Sequence, residues 1–471
     1  MFAKRKLFVP VTLAAVIGLI AAGCRGVPAP GEKQARHDLA AVTKQFQPGA
    51  TNPPALTADS SLSNYLAFAL FNSPAVAAAF YDWSASVENI TVTRSRPDPQ
   101  LTFQAYIEDE LTSLMPGLAW NFPGPGKLKA KGRAAAAESE GKYFAFEGAL
   151  LQTAFNLKSA YFKLGENDEQ IRLKRETLAL LENQERVLAA QNNSGQAALA
   201  DLLRTQSDRD RVRVELANLE DSRQPLLADF KAALGLTPRQ SDPPAPAHFE
   251  SAGKIPDADE LFRVALTNNP QLKAMEADVR AAEAGIAVAY KERVPDFNAG
   301  LSAEVYRPPF YWPQAGMTLP IWRDKLAAEV AQAQASKLSA QARLKAGQID
   351  LTVNFAEKLF ACRETGRNLA LLQDELLPRA SQTLAIARAG YRAGMVDFSN
   401  VTDAERALLD LKLETVQTRT EHEIALAELS LIVAGLPPAN APLLSRSSGR
   451  ESAPSPQNKN QSRLTSAATD N

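Results

Sequence analysis

Two cysteines, Cys24 and Cys362, in 471 residues exclude a disulfide-stapled fold, and three histidines (His37, His248, His422) leave zinc or iron–sulfur sites short of ligands. Charge of one sign is also missing. With 52 Lys+Arg against 53 Asp+Glu, net −1, no basic surplus exists to neutralise phosphates, so nucleic acid is excluded as a partner. Beyond Ala22 no apolar run is long enough for a spanning helix, so any further membrane contact has to be amphipathic or β. Motifs for chemistry are incomplete. Pro123-Gly124-Pro125-Gly126-Lys127 has Asn121 where a phosphate loop needs its first Gly and Leu128 where Ser or Thr holds magnesium, so it reads as a turn between strand and helix. His422-Glu423 opens a zinc-helix pattern, but Leu426 takes the place of the second His, and the pair reads as a solvated helix face. No enzyme activity, metal or cofactor is expected.

What is present begins with an address label. Lys4, Arg5 and Lys6 precede the apolar run Leu7 to Ala22, shorter than the roughly 20 residues of a spanning helix, so residues 1–23 read as a signal peptide. Ala21-Ala22-Gly23-Cys24 resembles a bacterial lipobox, with Ala21 where that pattern prefers Leu. The resemblance implies acylation of Cys24, and Arg25, which is not Asp, implies sorting to the outer membrane. Residues 25 to 56 are rich in Pro, Gly and Ala, and residues 439–471 in Ser, Asn, Gln and Pro. Both stretches are expected to be mobile, having too little apolar surface to offset chain entropy.

The organisation is set by an internal repeat of about 200 residues. Ala69-Leu70-Phe71-Asn72-Ser73-Pro74 returns as Ala265-Leu266-Thr267-Asn268-Asn269-Pro270. Pro99 is followed by Pro295, Pro123 by Pro320, Lys127-Leu128 by Lys325-Leu326, Gly195 by Gly394 and Gly235-Leu236 by Gly435-Leu436, all in one order. Residues 57–238 and 257–438 are therefore two copies of one unit, joined by a Pro-rich linker at 239–256, with 24–56 as an N-terminal extension.

Within each copy the periodicity changes twice. Pro74 to Ser95 is Ala-rich and helical, with Ser73 and Pro74 suited to its cap and first turn. Leu101, Phe103, Ala105 and Ile107, then Leu118, Trp120 and Phe122, alternate with polar or small residues, which predicts a β-hairpin at about 100–122. Phe297, Ala299, Leu301, Ala303 and Val305, then Ala315, Met317 and Leu319, predict a second at about 296–320. Glu108-Asp109-Glu110 reads as a wet loop; Tyr306, Phe310, Tyr311 and Trp312 read as an interfacial aromatic belt. Long helical hairpins follow at about 127–236 and 324–436. Leu351, Phe355, Leu359, Cys362, Leu369 and Leu376 form a coiled-coil-like seam that Gly366 and Gln373 interrupt. Lys127 to Asn192 spans about 99 Å as one helix, matched by two shorter helices stacked end to end. The fold class is thus mainly α with a small β part: long antiparallel helices carrying two hairpins at one end. Four strands are too few to close a sheet in lipid, so chains must assemble; two would give eight strands, and three would give twelve and a lumen.

The lipobox-like start, the tandem units, Ala-Leu-x-x-Asn-Pro, the hairpin between helices and Tyr391-Arg392-Ala393-Gly394 together resemble the TolC-like outer membrane factor family over residues 57 to 438. Leu377-Pro378-x-Ala380 with the following Ala389-Gly390-Tyr391 is similar to the branch serving heavy-metal resistance pumps. Membership implies a homotrimer with a twelve-stranded outer-membrane barrel continuous with a periplasmic helical tunnel. It also implies docking on a periplasmic adaptor (membrane fusion) protein and an inner-membrane pump of RND or ABC type. The function implied is export without chemistry. A periplasmic structural or adaptor-like lipoprotein without a pore is the alternative, and it leaves the four alternating strands unexplained.

The resemblance also places the working residues. Gly195 and Gly394 mark the periplasmic tip turns, where glycine can take a tight reversal. Carboxylates expected six and nine residues after the second glycine fall on Asn400 and Asp403, with Asp397 one turn earlier as a substitute, and three copies of Asp403 would make an acidic aperture ring. Asp201 and Tyr391 stand where the family latches its tips. Val396 replaces an arginine of that latch, which leaves Arg392 or Arg204 to reach an acid, Arg204 being level with Asp403.

Overall fold

Each copy starts its first long helix from the same local device. Ser73 accepts a hydrogen bond from the Val76 N–H ahead of Pro74, and Asn269 accepts from the N–H groups of Gln271 and Leu272 ahead of Pro270. In the computed structural model, residues 31–46, 56–57, 59–107, 111–195, 198–237, 239–244, 258–304 and 310–433 are described. Their helices are α1 (Glu32–Gln45), α2 (Leu62–Asn72), α3 (Pro74–Arg94), α4 (Lys127–Asn193), α5 (Leu199–Ala233), α6 (Ala258–Asn268), α7 (Pro270–Lys291), α8 (Arg323–Ala370), α9 (Leu377–Arg392) and α10 (Phe398–Ile432). The strands are β1 (Gln100–Ile107), β2 (Leu111–Phe122), β3 (Asp296–Glu304) and β4 (Phe310–Thr318). Cys24, the 108–110 loop, Tyr306, most of the 239–256 linker and the 439–471 tail lie outside the described residues.

At 67 residues α4 runs about 100 Å without a break. α3 and α5 pack along one side of it, α7 and α10 along the other, and α8 with α9 covers α7 and α10 in turn. One core of Tyr65, Leu157, Tyr161, Leu164 and Phe230 belongs to the first copy, and a second, of Leu261, Leu351, Phe355, Cys362 and Leu429, to the other. α8 and α9 are separated by a π-helical turn, Leu371–Leu376, where a single unbroken helix is expected from the sequence. Pro378 explains it: proline offers no N–H and its ring crowds the carbonyl four residues back, so the preceding turn widens. The buried seam shifts accordingly, with Leu372 (3% exposed) taking the place expected for Leu376. Gly366 breaks the seam because His422 packs there. A Cβ at that position would sit 3.2 Å from His422 Cε1, and His422 Nδ1 is 3.0 Å from Thr365 Oγ1.

Two expectations need correction. His422-Glu423 is not a solvated face, since Glu423 is 3% exposed: α10 lies between α4 and α8 and is covered on two flanks. Residues 31–46 are not loose, since α1 packs on α3 and α4. Phe46 joins a ring cluster with Phe71, Phe80 and Phe146, and buried Glu32 accepts from Arg94. The Pro- and Gly-rich flanks hid a charged helix that buries Ala35, Leu39 and Val42 along one side.

The four strands form one antiparallel sheet in the order β1-β2-β3-β4, with β1 and β4 as edges. Its register sorts side chains by face. Leu101, Leu118, Leu301 and Pro313 make one apolar row, and Phe122, Phe297 and Met317 another. On the opposite face lie Thr102, Gly117 and Ser302, then Asn121, Asn298 and Gly316. Glycine leaves room there for the facing polar side chains: a Cβ on Gly117 would meet Ser302 Oγ at 2.6 Å and one on Gly316 would meet Asn298 Oδ1, so those side chains would have to turn aside. Where sheet meets helices, Asp296 accepts from the Gly124 N–H at 2.7 Å and from Lys127 Nζ at 2.9 Å, which makes the glycine-rich turn a splice between the copies. Burial lowers the pKa of the Lys127 ammonium, and hydrogen bonds with Asp296 and Glu292 reverse that to a net rise.

Candidate functional site

Both helical hairpins reverse at a glycine in the left-handed region. Gly195 (φ 74°) closes α4, its N–H donating to Asn192 O at 3.0 Å. Gly394 (φ 69°) closes α9, with its own N–H on Tyr391 O at 3.0 Å and the Met395 N–H on Gly390 O at 2.9 Å, a Schellman closure. Among the described residues no atom would obstruct a Cβ at either position, so backbone conformation, not space, requires glycine. After the second reversal Asp397 stands at the N-cap of α10 in extended conformation, and its carbonyl receives the Asn400 N–H at 3.1 Å.

Asp397, Asn400 and Asp403 are all exposed along the first turns of α10, and Asp201 and Arg204 are exposed on the first turns of α5. Among the described residues, the side chains of Asp201, Arg204, Arg392, Asp397, Asn400 and Asp403 make no hydrogen bond or ion pair within the chain. Tyr391 packs at a tilt on Phe398 with ring centroids 5.5 Å apart, so the fold of one chain does not join it to Asp201. Arg204 does not reach Asp403 either.

The structure brings together a different set one turn above. Arg209 of α5 pairs with Glu185 of α4, Asp208 of α5 with Arg406 of α10 at 2.9 Å, and Glu405 of α10 with Arg388 of α9 at 3.1 Å. These three pairs cross all four tip helices in sequence. Hydrogen bonds from Arg209 to Asp210 and Glu185 raise its pKa and keep it charged. Ion pairs this open to water add little to stability, and of the three only Asp208–Arg406 ties the first hairpin to the second. Levelling the two copies by their repeat spacing could have found it, because the expected Arg204–Asp403 pairing uses the same logic one turn too low.

Farther along, a cleft of about 340 Å³ between α4 and α10 is lined by Phe162, Glu166, Leu377, Lys412, Val416 and Arg419 and includes no tip residue. Burial there raises the Glu166 carboxyl's pKa, and burial elsewhere on α4 lowers that of the Lys158 ammonium. Among the described residues no group of His, Cys, Asp or Glu forms a metal-holding cluster, and no helix is long and apolar enough to cross a membrane.

Known proteins share this fold. A chain from the crystal structures of CusC superposes with a TM-score of 0.67 at 17% identity, covering 83% of this chain and 98% of that one. The open state of the Neisseria gonorrhoeae MtrE outer membrane channel gives 0.67 at 16% identity, covering 83% and 96%. The pyoverdine export outer membrane protein OpmQ of Pseudomonas putida is 25% identical over 253 residues, 51% of this chain and 53% of that protein, so the match spans about half of each. The sequence profile of the outer membrane efflux protein family matches residues 66–236 and 261–435. On that match, and with the helical hairpins and four-stranded sheet in place, this chain belongs to the outer membrane efflux protein family.

Proposed function

We propose that the chain is the outer-membrane channel of a tripartite efflux or export system. Three copies pass cargo from an inner-membrane pump, through a periplasmic adaptor and the helical tunnel, to the outside of a Gram-negative cell. The observation that carries this reading is the open sheet: four strands, an apolar face, and unpaired edges at β1 and β4. Lipid offers an edge no hydrogen bonds, and three such sheets joined edge to edge close a twelve-stranded barrel with a lumen. Exposed apolar residues on the two outer flanks of the helices, Leu338, Ile349 and Phe360 on α8 and Tyr81, Val92 and Val214 on α3 and α5, support side-by-side closure. Purified protein is expected to run as three chains and to conduct in a planar bilayer. A stable monomer in membranes, or no conductance, overturns the proposal.

At the periplasmic end the reading assigns Asp403 to an acidic ring, with Asp397 as a second and Asn400 as a neutral lining. Asp201 and Tyr391 latch neighbouring copies, with Arg204 and Arg392 as further partners. Asp208–Arg406 is added as the restraint between the two hairpins of one copy. Cys24 carries the lipid anchor, and Cys24→Ala is expected to abolish fatty-acid labelling.

A further inference from the structure

We propose that Phe310, Trp312 and Glu304 form a collar inside the outer end of the channel that holds aromatic organic cations in transit. This rests on the channel reading. The register decides the placement: Trp312 lies opposite Ser302, and Phe310 opposite Glu304, on the face that carries Thr102, Gly117, Asn298 and Gln314. Tyr311 lies opposite Ala303 on the other face, with Leu301, Pro313 and Phe297. The aromatic run therefore divides. Tyr311 goes to the apolar side, where an interfacial belt residue belongs, and Phe310 and Trp312 go to the side that becomes the lumen.

The two rings are 5.1 Å apart, and both stay about half exposed. They have no burial to account for them on this polar face. Among the described residues Glu304 makes no hydrogen bond or ion pair. β3 runs about 27 Å along the strand from Asp296, beside the helices, to Glu304, and its nine residues are enough for a tilted strand to cross an outer membrane's apolar band, so the group stands at the far mouth. Ring faces attract cations, and a carboxylate beside them adds charge complementarity, so the ligand class is a flat or aryl-bearing cation. Threefold closure repeats the group three times around one lumen.

The test compares block of wild-type channels in potassium chloride by tetraphenylphosphonium and by tetrabutylammonium, which has the same charge and no rings. Tetraphenylphosphonium is expected to block at about tenfold lower concentration. Trp312→Leu and Phe310→Leu should each remove most of that preference, Trp312→Tyr and Tyr311→Leu should keep it, and Glu304→Gln should weaken block by both cations. Open-channel conductance in salt alone serves as the folding control for each variant. Equal block of wild type by the two cations, or an unchanged preference in both Leu variants, overturns the collar while leaving the channel standing. Absence of any wild-type conductance overturns the channel reading and the collar with it.

Discussion

The long helix of the first copy and its counterpart in the second have nearly the same length and opposite surroundings. α4 buries Phe146, Leu157, Tyr161, Leu164, Leu173 and Leu181 along its course, because neighbours cover it on two sides. α8 and α9 bury only Val330, Leu351, Phe355, Cys362 and Leu384, and leave Leu338, Phe360 and Ile386 in the open. Place in the row of helices, more than local sequence, sets how much each one buries. The duplicated unit has thus acquired two jobs: one copy completes the chain's core, and the other presents a flank.

The widest expected gap between the two lies in truncation. Trp83→Ala, at a side chain 1% exposed and stacked on Phe146 of α4, should cost about 3–5 kcal/mol in denaturant unfolding. Phe360→Ala, at a residue 60% exposed on α8, should leave the unfolding of one chain unchanged and loosen only the trimer on detergent gels. Proline comes next. Leu180→Pro inside unbroken α4 should destabilise by about 3 kcal/mol or more, whereas Pro378→Ala should let the π turn wind to α-helix and slow amide exchange across 371–376.

A thiol on α8 gives the second copy a pH response. Burial, with Glu423 adding to it, pushes the Cys362 thiol up from 9.0 to about 11. The unfolded chain releases this proton near pH 9 and the folded chain holds it to about 11. The contribution is therefore complete below pH 9 and lost as pH rises to 11, on the order of 2 kcal/mol. Urea midpoints at pH 8 and pH 11 should converge in Cys362→Ala relative to wild type. The smallest effect belongs to the tie between hairpins: Asp208→Asn should raise single-channel conductance, and exchanging the charges at 208 and 406 should restore it. Unchanged conductance in Asp208→Asn removes this pair from gating.

What could be read in advance was whatever the chain settles locally. Alternation exposed the hairpins, Pro74 and Pro270 marked helix starts, and glycine marked both reversals. What escaped depends on neighbours. Glu423 looked wet until α4 and α8 covered its flanks, and α1 looked loose until Phe46 found three rings on two other elements. Asp208–Arg406 escaped because the axial register between two separate helices is written in neither one's periodicity.

The Glu32–Arg94 attachment has a mechanical consequence. Glu32 opens α1, Arg94 ends α3, and acid at one helix start meeting base at another helix end suits both helix dipoles. Arg36 adds a two-pronged grip on Glu88, with both contacts at 2.9 Å. Strand β1 begins six residues beyond Arg94. Tension on the chain from its N-terminal side is therefore taken up at the end of α3 and shed into the helices, so the first strand of the sheet is isolated from it, much as a clamp relieves strain on a cable before it reaches the connector.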